Sequence, residues 1–190
     1  MSRGKTTKGR KKEVGRRTRE TEIVVKLDLD GSGSYKCDIP DEFLRHMVET
    51  LARYSGTDIE ISAKGDIAHH LIEDVAIALG KTFREALGDM TVRRIGSAVV
   101  PMDDALVQVS VDLIDRPYVH IEVPNLMYEH FLRSFAMELR ATVHTVIIRG
   151  KDEHHVVEAT FKALGLALKE AMERTGKTVS TKSNVEWRKA

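Results

Sequence analysis

The chain has 190 residues, of which 42% are hydrophobic and 31% charged, with a net charge of +1; this suffices for one ordinary domain with a real core. No apolar run reaches the roughly 18 residues that a membrane-spanning helix needs, and the single cysteine, Cys37, excludes an intramolecular disulfide or a cysteine-built zinc site and reads as a small filler. Cysteine usage and a basic N-terminus without the apolar stretch of a secretory signal point to the cytoplasm.

The charge is uneven. Residues 1–19 carry nine Lys or Arg against the single Glu13, about +8, leaving about −7 for the rest. A Gly/Thr/Lys/Arg segment without apolar periodicity gains little from burial, so residues 1–18 read as a basic flexible arm. Basic arms neutralise phosphates, but this one has no aromatic residue to stack on a base, which favours a solvated tail or one docked on its own oligomer over nucleic acid.

From Thr21 onward Ile23, Val25, Leu27 and Leu29 alternate with Glu22, Lys26, Asp28 and Asp30, the period of a half-buried strand. Gly31-Ser32-Gly33 turns the chain, a short strand runs to Ile39, and Pro40-Asp41 opens a helix with Leu44, Met47, Val48 and Leu51 on its core face. Ile59, Ile61 and Ala63 form a strand, and a helix follows from His69 to Ala86. This β-β-α-β-α order recurs. Val107–Leu113 and Val119–Val123 alternate as strands, and Phe131-Leu132-Arg133 echoes Phe43-Leu44-Arg45 at an offset of 88. Further on, nine identities recur at an offset of 85, including Gly65, His69, His70, Glu73 and Gly80 as Gly150, His154, His155, Glu158 and Gly165. The spacing predicts an internal duplication in an α+β fold, each half a sheet covered by two helices. The halves are placed at residues 19–100 and 101–183, with a C-terminal tail at 184–190.

The duplicated chemistry is His-His-x-x-Glu at a helix start. Adjacent histidines on a helix point in separate directions, whereas the first His and the Glu, four apart, share a face. The spacing therefore suggests one ion held by His69 and Glu73, or by His154 and Glu158, with His70 and His155 turned to another. Imidazole and carboxylate without thiolate suit Mn, Fe, Co, Ni or Zn. Of the remaining histidines, His46 and His144 are further candidates, whereas His120 and His130 read as structural.

Together with these motifs, Arg19-Glu20-Thr21, Phe43-Leu44-x-His46-Met47, Arg94-x-Gly96-Ser97-Ala98-x-x-Pro101, Arg116-Pro117-Tyr118 and Ser180-Thr181-Lys182 resemble the imidazoleglycerol-phosphate dehydratase family over residues 19 to about 183. The resemblance implies a manganese-dependent lyase of histidine biosynthesis, with two Mn2+ per chain or another divalent metal, converting imidazole glycerol phosphate to imidazole acetol phosphate. It implies a pair of sheet-plus-two-helix halves and a 24-mer of octahedral symmetry. Carried over by position, it makes His46, His69, His70, Glu73, His144, His154, His155 and Glu158 metal ligands, Glu20 a substrate-contacting carboxylate, and Arg94, Arg116, Ser180 and Lys182 the phosphate site. Cations converging on a phosphate form charge-assisted hydrogen bonds to a part of the substrate that does not react. Metal bound to the imidazole would favour an imidazolate able to expel a hydroxyl, with Glu20 the candidate for moving a proton.

The chain departs from the family pattern at Thr50 (usually Gln), Tyr54 (usually His), Asp104 (usually Glu) and Ser183 (usually Gly), and its loop before His69 is a few residues short. The competing class is a non-catalytic, metal-stabilised assembly whose arm binds a polyanion. An assembly protein has no use for Arg94, Arg116 and Lys182 beside a metal centre, which favours the enzyme.

Overall fold

The structure, a computed structural model, describes residues 9–88 and 91–176. The first half runs β1 (Lys11–Arg17), β2 (Thr21–Asp28), β3 (Tyr35–Asp38), α1 (Glu42–Ser55), β4 (Asp58–Gly65) and α2 (Ala68–Leu87); the second runs β5 (Ile95–Met102), β6 (Ala105–Asp112), β7 (Tyr118–His120), α3 (Leu126–Leu139), β8 (Thr142–Arg149) and α4 (Glu153–Ala171). Each half is a four-stranded sheet, ordered β1-β2-β4-β3 and β5-β6-β8-β7. The β3–β4 and β7–β8 pairs are parallel, and α1 and α3 supply the crossovers that parallel neighbours require.

Alternation fixes which face is buried. Val25 pairs with Ile61 and Leu27 with Ile59, all beneath the helices, while Lys26 and Glu60 face outward. Side-chain caps set three helix starts: Asp41 accepts from the Leu44 N–H, Asn125 from those of Met127 and Tyr128, and Asp152 from that of His155. α2 lies on β1 and β2, and α4 on β5 and β6, but α1 packs on α4 and α3 on α2. The halves therefore share one core, in which Phe83 meets Phe135 edge-on and Phe131 meets Phe161. Gly80 and Gly165 mark the two helix crossings: a Cβ would strike the Phe135 carbonyl at the first and the Tyr54 side chain at the second.

Three expectations change. Each half opens on one more strand than periodicity suggests. Residues 11–17, expected within a flexible arm, form β1, paired with β2 from Lys11 opposite Asp28 to Arg17 opposite Glu22. An edge strand needs a partner on one side only and tolerates charge, so it shows no apolar alternation. Arg10, buried, donates to Asp30 Oδ1 at 2.6 and 2.9 Å and to the Met172 carbonyl. Likewise β5 pairs with β6, so the division between halves falls before Ile95 rather than at residue 100.

The repeat register also changes. β2, α1 and β4 begin at Thr21, Glu42 and Asp58, and β6, α3 and β8 begin at Ala105, Leu126 and Thr142, each 84 residues later. The buried set Leu44, Met47, Val48, Leu51 and Ala52 matches Tyr128, Phe131, Leu132, Phe135 and Ala136 at that same spacing. The 88-residue echo is one turn too long, because a slip of four returns an amphipathic helix to nearly the same face. The counterpart of His46 is therefore His130, that of Glu20 is Asp104, and that of His144 is Glu60.

Candidate active site

Where α1 crosses α4, Glu158 lies between two imidazoles: His154 Nε2 is 3.3 Å from its Oε2 and His46 Nε2 is 3.6 Å from its Oε1. Its side chain is only 9% exposed. Burial pushes its pKa up, but the hydrogen bond from Lys162 and the charges of Lys162, His46 and His154 outweigh that and leave it below the ordinary value. Lys162 Nζ sits 2.9 Å from Oε1 and 5.8 Å from the centre of the Tyr54 ring. His46, Thr50 and Tyr54, at four-residue intervals on one face of α1, line with Glu158 and Lys162 an open cleft of about 250 Å³. Two of the departures from the family pattern thus lie on the cleft wall. A larger concavity, about 580 Å³, lies on the first sheet among Lys11, Lys26, Lys36 and Glu60 and contains none of the expected site residues.

Where α2 crosses α3 the arrangement repeats. His69 Nε2 is 3.7 Å from Glu73 Oε2, and the ring of His130 lies 5.5 Å from that of His69. His130, expected to be structural, is exposed on α3 at the place that His46 holds on α1. His144 is elsewhere: Val143 and Thr145 point into the core, so His144 points out of the opposite face of β8, its ring 5.5 Å from Tyr118 and 6.1 Å from His120. His120, also exposed, pairs with Glu122 at 3.2 Å.

The second histidine of each motif faces a hairpin. In the first half His70 Nδ1 is 2.8 Å from Asp66 Oδ1 and 3.7 Å from Glu20 Oε2 at the β1–β2 turn. That hairpin is latched to α2 by the buried Asp74, which accepts from Arg16 Nη2 at 2.7 Å and Thr21 Oγ1 at 2.5 Å. In the second half His155 Nδ1 is 2.8 Å from Asp104 Oδ1, and its Nε2 is 3.4 Å from Asp103 Oδ2. Asp104 Oδ2 also accepts from the Lys151 and Asp152 N–H groups. The His155 hydrogen bond and these backbone donors hold the Asp104 carboxyl at about 2, and the same bond raises His155; Asp66 and His70 shift in the same senses for the same reason.

Of the expected phosphate site, Arg94 takes a left-handed backbone (φ 76°) and pairs with Asp112 at 2.7 Å. Arg116 lies in the β6–β7 loop, its carbonyl accepting from Thr142 Oγ1. Ser180, Lys182 and Ser183 lie outside the described residues. The structure adds Asp66 and Lys162 to the residues gathered around the motifs and brings His130, expected to be structural, beside them. Lys162, one turn beyond Glu158, was signalled by its i, i+4 spacing, and His130 only by the correct repeat register.

Ligand atoms about 2.1 Å from one ion and at right angles lie about 3 Å apart. The His154–Glu158, His46–Glu158 and His69–Glu73 separations are slightly wider than that, and all the donors are imidazole or carboxylate, a set that fits a first-row divalent cation. Among the described residues no three His, Cys, Asp or Glu side chains already close around one ion position. Instead the donors stand as carboxylate–imidazole pairs, two of which share Glu158.

A sequence model of imidazoleglycerol-phosphate dehydratase matches residues 40–168. The imidazoleglycerol-phosphate dehydratase of Dictyoglomus thermophilum is 44% identical over 184 residues, covering 93% of this chain and 99% of that protein. The one from Thermoanaerobacter pseudethanolicus is 42% identical, covering 91% and 98%. Among solved structures, the IGPD of Pyrococcus furiosus superposes with a TM-score of 0.81 at 38% identity, covering 90% of this chain and all of that one. The imidazoleglycerol-phosphate dehydratase of Staphylococcus aureus gives 0.78 at 30% identity, covering 86% and 98%. With the duplicated fold and the paired His-His-x-x-Glu helices in place, these matches show that the chain belongs to the imidazoleglycerol-phosphate dehydratase family.

Proposed function

We propose that two divalent cations, manganese foremost, work in this hydro-lyase of histidine biosynthesis, which removes water from D-erythro-imidazole glycerol 3-phosphate. His46, His154 and Glu158 would hold one ion, and His130, His69 and Glu73 the other. The observation that carries this reading is the equivalence of the two helix crossings, which put an α1 or α3 imidazole beside the same His-x-x-x-Glu pair. His130 rather than His144 would complete the second set, because it lies beside His69 and His144 does not. His70 and His155 face their own hairpins, so they would serve ions seated on neighbouring subunits. That reading favours a closed homo-oligomer, the 24-mer that the resemblance implies. Cys37 as the sole cysteine supports a cytoplasmic setting.

Bound there, the cations would supply Lewis acidity and a template at the imidazole nitrogens of the substrate. The reaction must expel a hydroxyl and release a carbon-bound proton that is not acidic. Glu20, at a hairpin tip fixed by Asp74, would carry that proton. Lys162 in the cleft, with Arg94, Arg116, Ser180 and Lys182, supplies cationic and hydrogen-bonding groups for the phosphate. Turnover of imidazole glycerol phosphate by metal-stripped and Mn-reloaded protein, with elemental analysis, tests this. Two ions per chain with activity restored on reloading are expected; at most one ion under saturating Mn would exclude the dinuclear reading.

A further inference from the structure

The two halves place a carboxylate against Nδ1 of the second motif histidine, but from different parts of the chain. In the second half it comes from the β5–β6 hairpin, where Asp104 lies 2.8 Å from His155 Nδ1. The same position in the first half is Glu20, yet Glu20 stays 3.7 Å from His70 Nδ1. Asp66, in the short loop before α2, makes the 2.8 Å contact instead. α2 starts at Ile67 without a side-chain cap, and Asp66 Oδ1 accepts from the Ile67 N–H at 2.7 Å. One oxygen thus binds both the helix start and the imidazole.

A carboxylate that takes backbone N–H groups, Asp66 from Ile67 and Asp104 through its other oxygen from Lys151 and Asp152, is an ionised acceptor, so the imidazole nitrogen facing it carries the hydrogen. With Nδ1 protonated, Nε2 keeps the lone pair that a metal needs. We propose that Asp66 and Asp104 are positioning residues that fix the tautomer and ring direction of His70 and His155 for metal binding through Nε2, and that Asp66, by taking this task in the first half, leaves the Glu20 carboxylate to the substrate. The inference rests on the dinuclear reading above. It explains how a duplicated hairpin carboxylate came to have two duties: Asp104 is committed to His155, while Glu20 is not committed to His70.

The test is Mn2+ binding by the full-length, metal-stripped protein, with free Mn2+ read by its electron paramagnetic resonance signal. Wild type should take up two ions per chain; fewer would remove the dinuclear reading itself, before this inference is reached. Asp104→Ala and Asp66→Ala should each weaken one of the two ions 10- to 100-fold and leave the other within a few-fold. Asp104→Glu, which keeps the carboxylate, should restore binding to within a few-fold of wild type. Both ions at wild-type affinity in either alanine variant would strike that residue from the proposal. Equal weakening of both ions, or an Asp104→Glu variant as weak as Asp104→Ala, would mean that the residue supports the loop rather than the imidazole.

Discussion

Among single residues, geometry separates those that hold from those that react. Glu20 sits on a latched hairpin outside both helix-crossing carboxylate–imidazole pairs, which suits a group that moves a proton rather than one that ligates an ion. Glu20→Gln should keep wild-type Mn content while kcat falls at least about 100-fold, the usual scale for removing a general acid or base; turnover near wild type would remove Glu20 from the chemistry. His130→Ala should cost one ion per chain and His144→Ala none, since only the first lies beside His69; metal analysis of the two variants reads this directly. The hydrogen bonds from Asp66 and Asp104 raise the pKa values of His70 and His155 in the ion-free protein. A raised pKa means that the proton is still held above the ordinary imidazole range of about 6.5, and the ion must displace it. Mn affinity should therefore begin to weaken above pH 6.5 and fall further below it, with activity partly restored by excess Mn. An acid limb that Mn does not rescue would belong to another group, Glu20 being the first candidate.

At the level of elements, the crossing of α1 on α4 brings His46 to Glu158, and Gly165 sets its closeness. A Cβ at Gly165 would lie 2.7 Å from Tyr54 Cβ and 3.0 Å from the Ser55 nitrogen, so the helices must separate or strain. Gly165→Ala should destabilise the fold by about 1–3 kcal/mol, the range for overpacking, seen as a lower midpoint in urea. It should also weaken the ion between His46 and Glu158 more than the one at His69 and Glu73. The strands show a complementary division of labour: β2, β4, β6 and β8 bury alternate side chains, whereas β1 is held by its backbone ladder and by the ion pairs of Arg10 and Arg16.

For the whole molecule, His46, His69 and His154 are exposed at the helix crossings, while His70 and His155, turned to their hairpins, would serve ions on neighbouring subunits. An ion shared across subunits binds the assembled state better than the separated one, so its affinity becomes part of the association free energy. Chelation should break the proposed homo-oligomer into smaller species that keep their secondary structure, and Mn should reassemble it. Sedimentation with EDTA and then with Mn measures this; an unchanged particle after verified metal removal would leave assembly to side-chain packing alone.

The local patterns were written in the sequence: period-two burial in β2 and β6, the amphipathic faces of α1 and α3, the Asp41 cap, and two His-His-x-x-Glu motifs whose four-residue spacing places His69 with Glu73 and His154 with Glu158. These depend on residues within a turn or a pleat of one another, and so periodicity reveals them. Three things were decided only by the tertiary structure. Edge strand β1 draws its stability from a backbone ladder, which leaves no side-chain period, and β5 turns the small Gly96 and Ala98 inward beside Val100, an apolar pattern too weak to read as a strand. That His130 lies beside His69 depends on a repeat register that a one-turn slip in an amphipathic helix disguises. Asp104 meets His155 across 51 residues because the sheets and helices bring the β5–β6 hairpin there, and proximity between distant segments leaves no periodic trace in the chain, whereas Asp66 lies only one turn before His70.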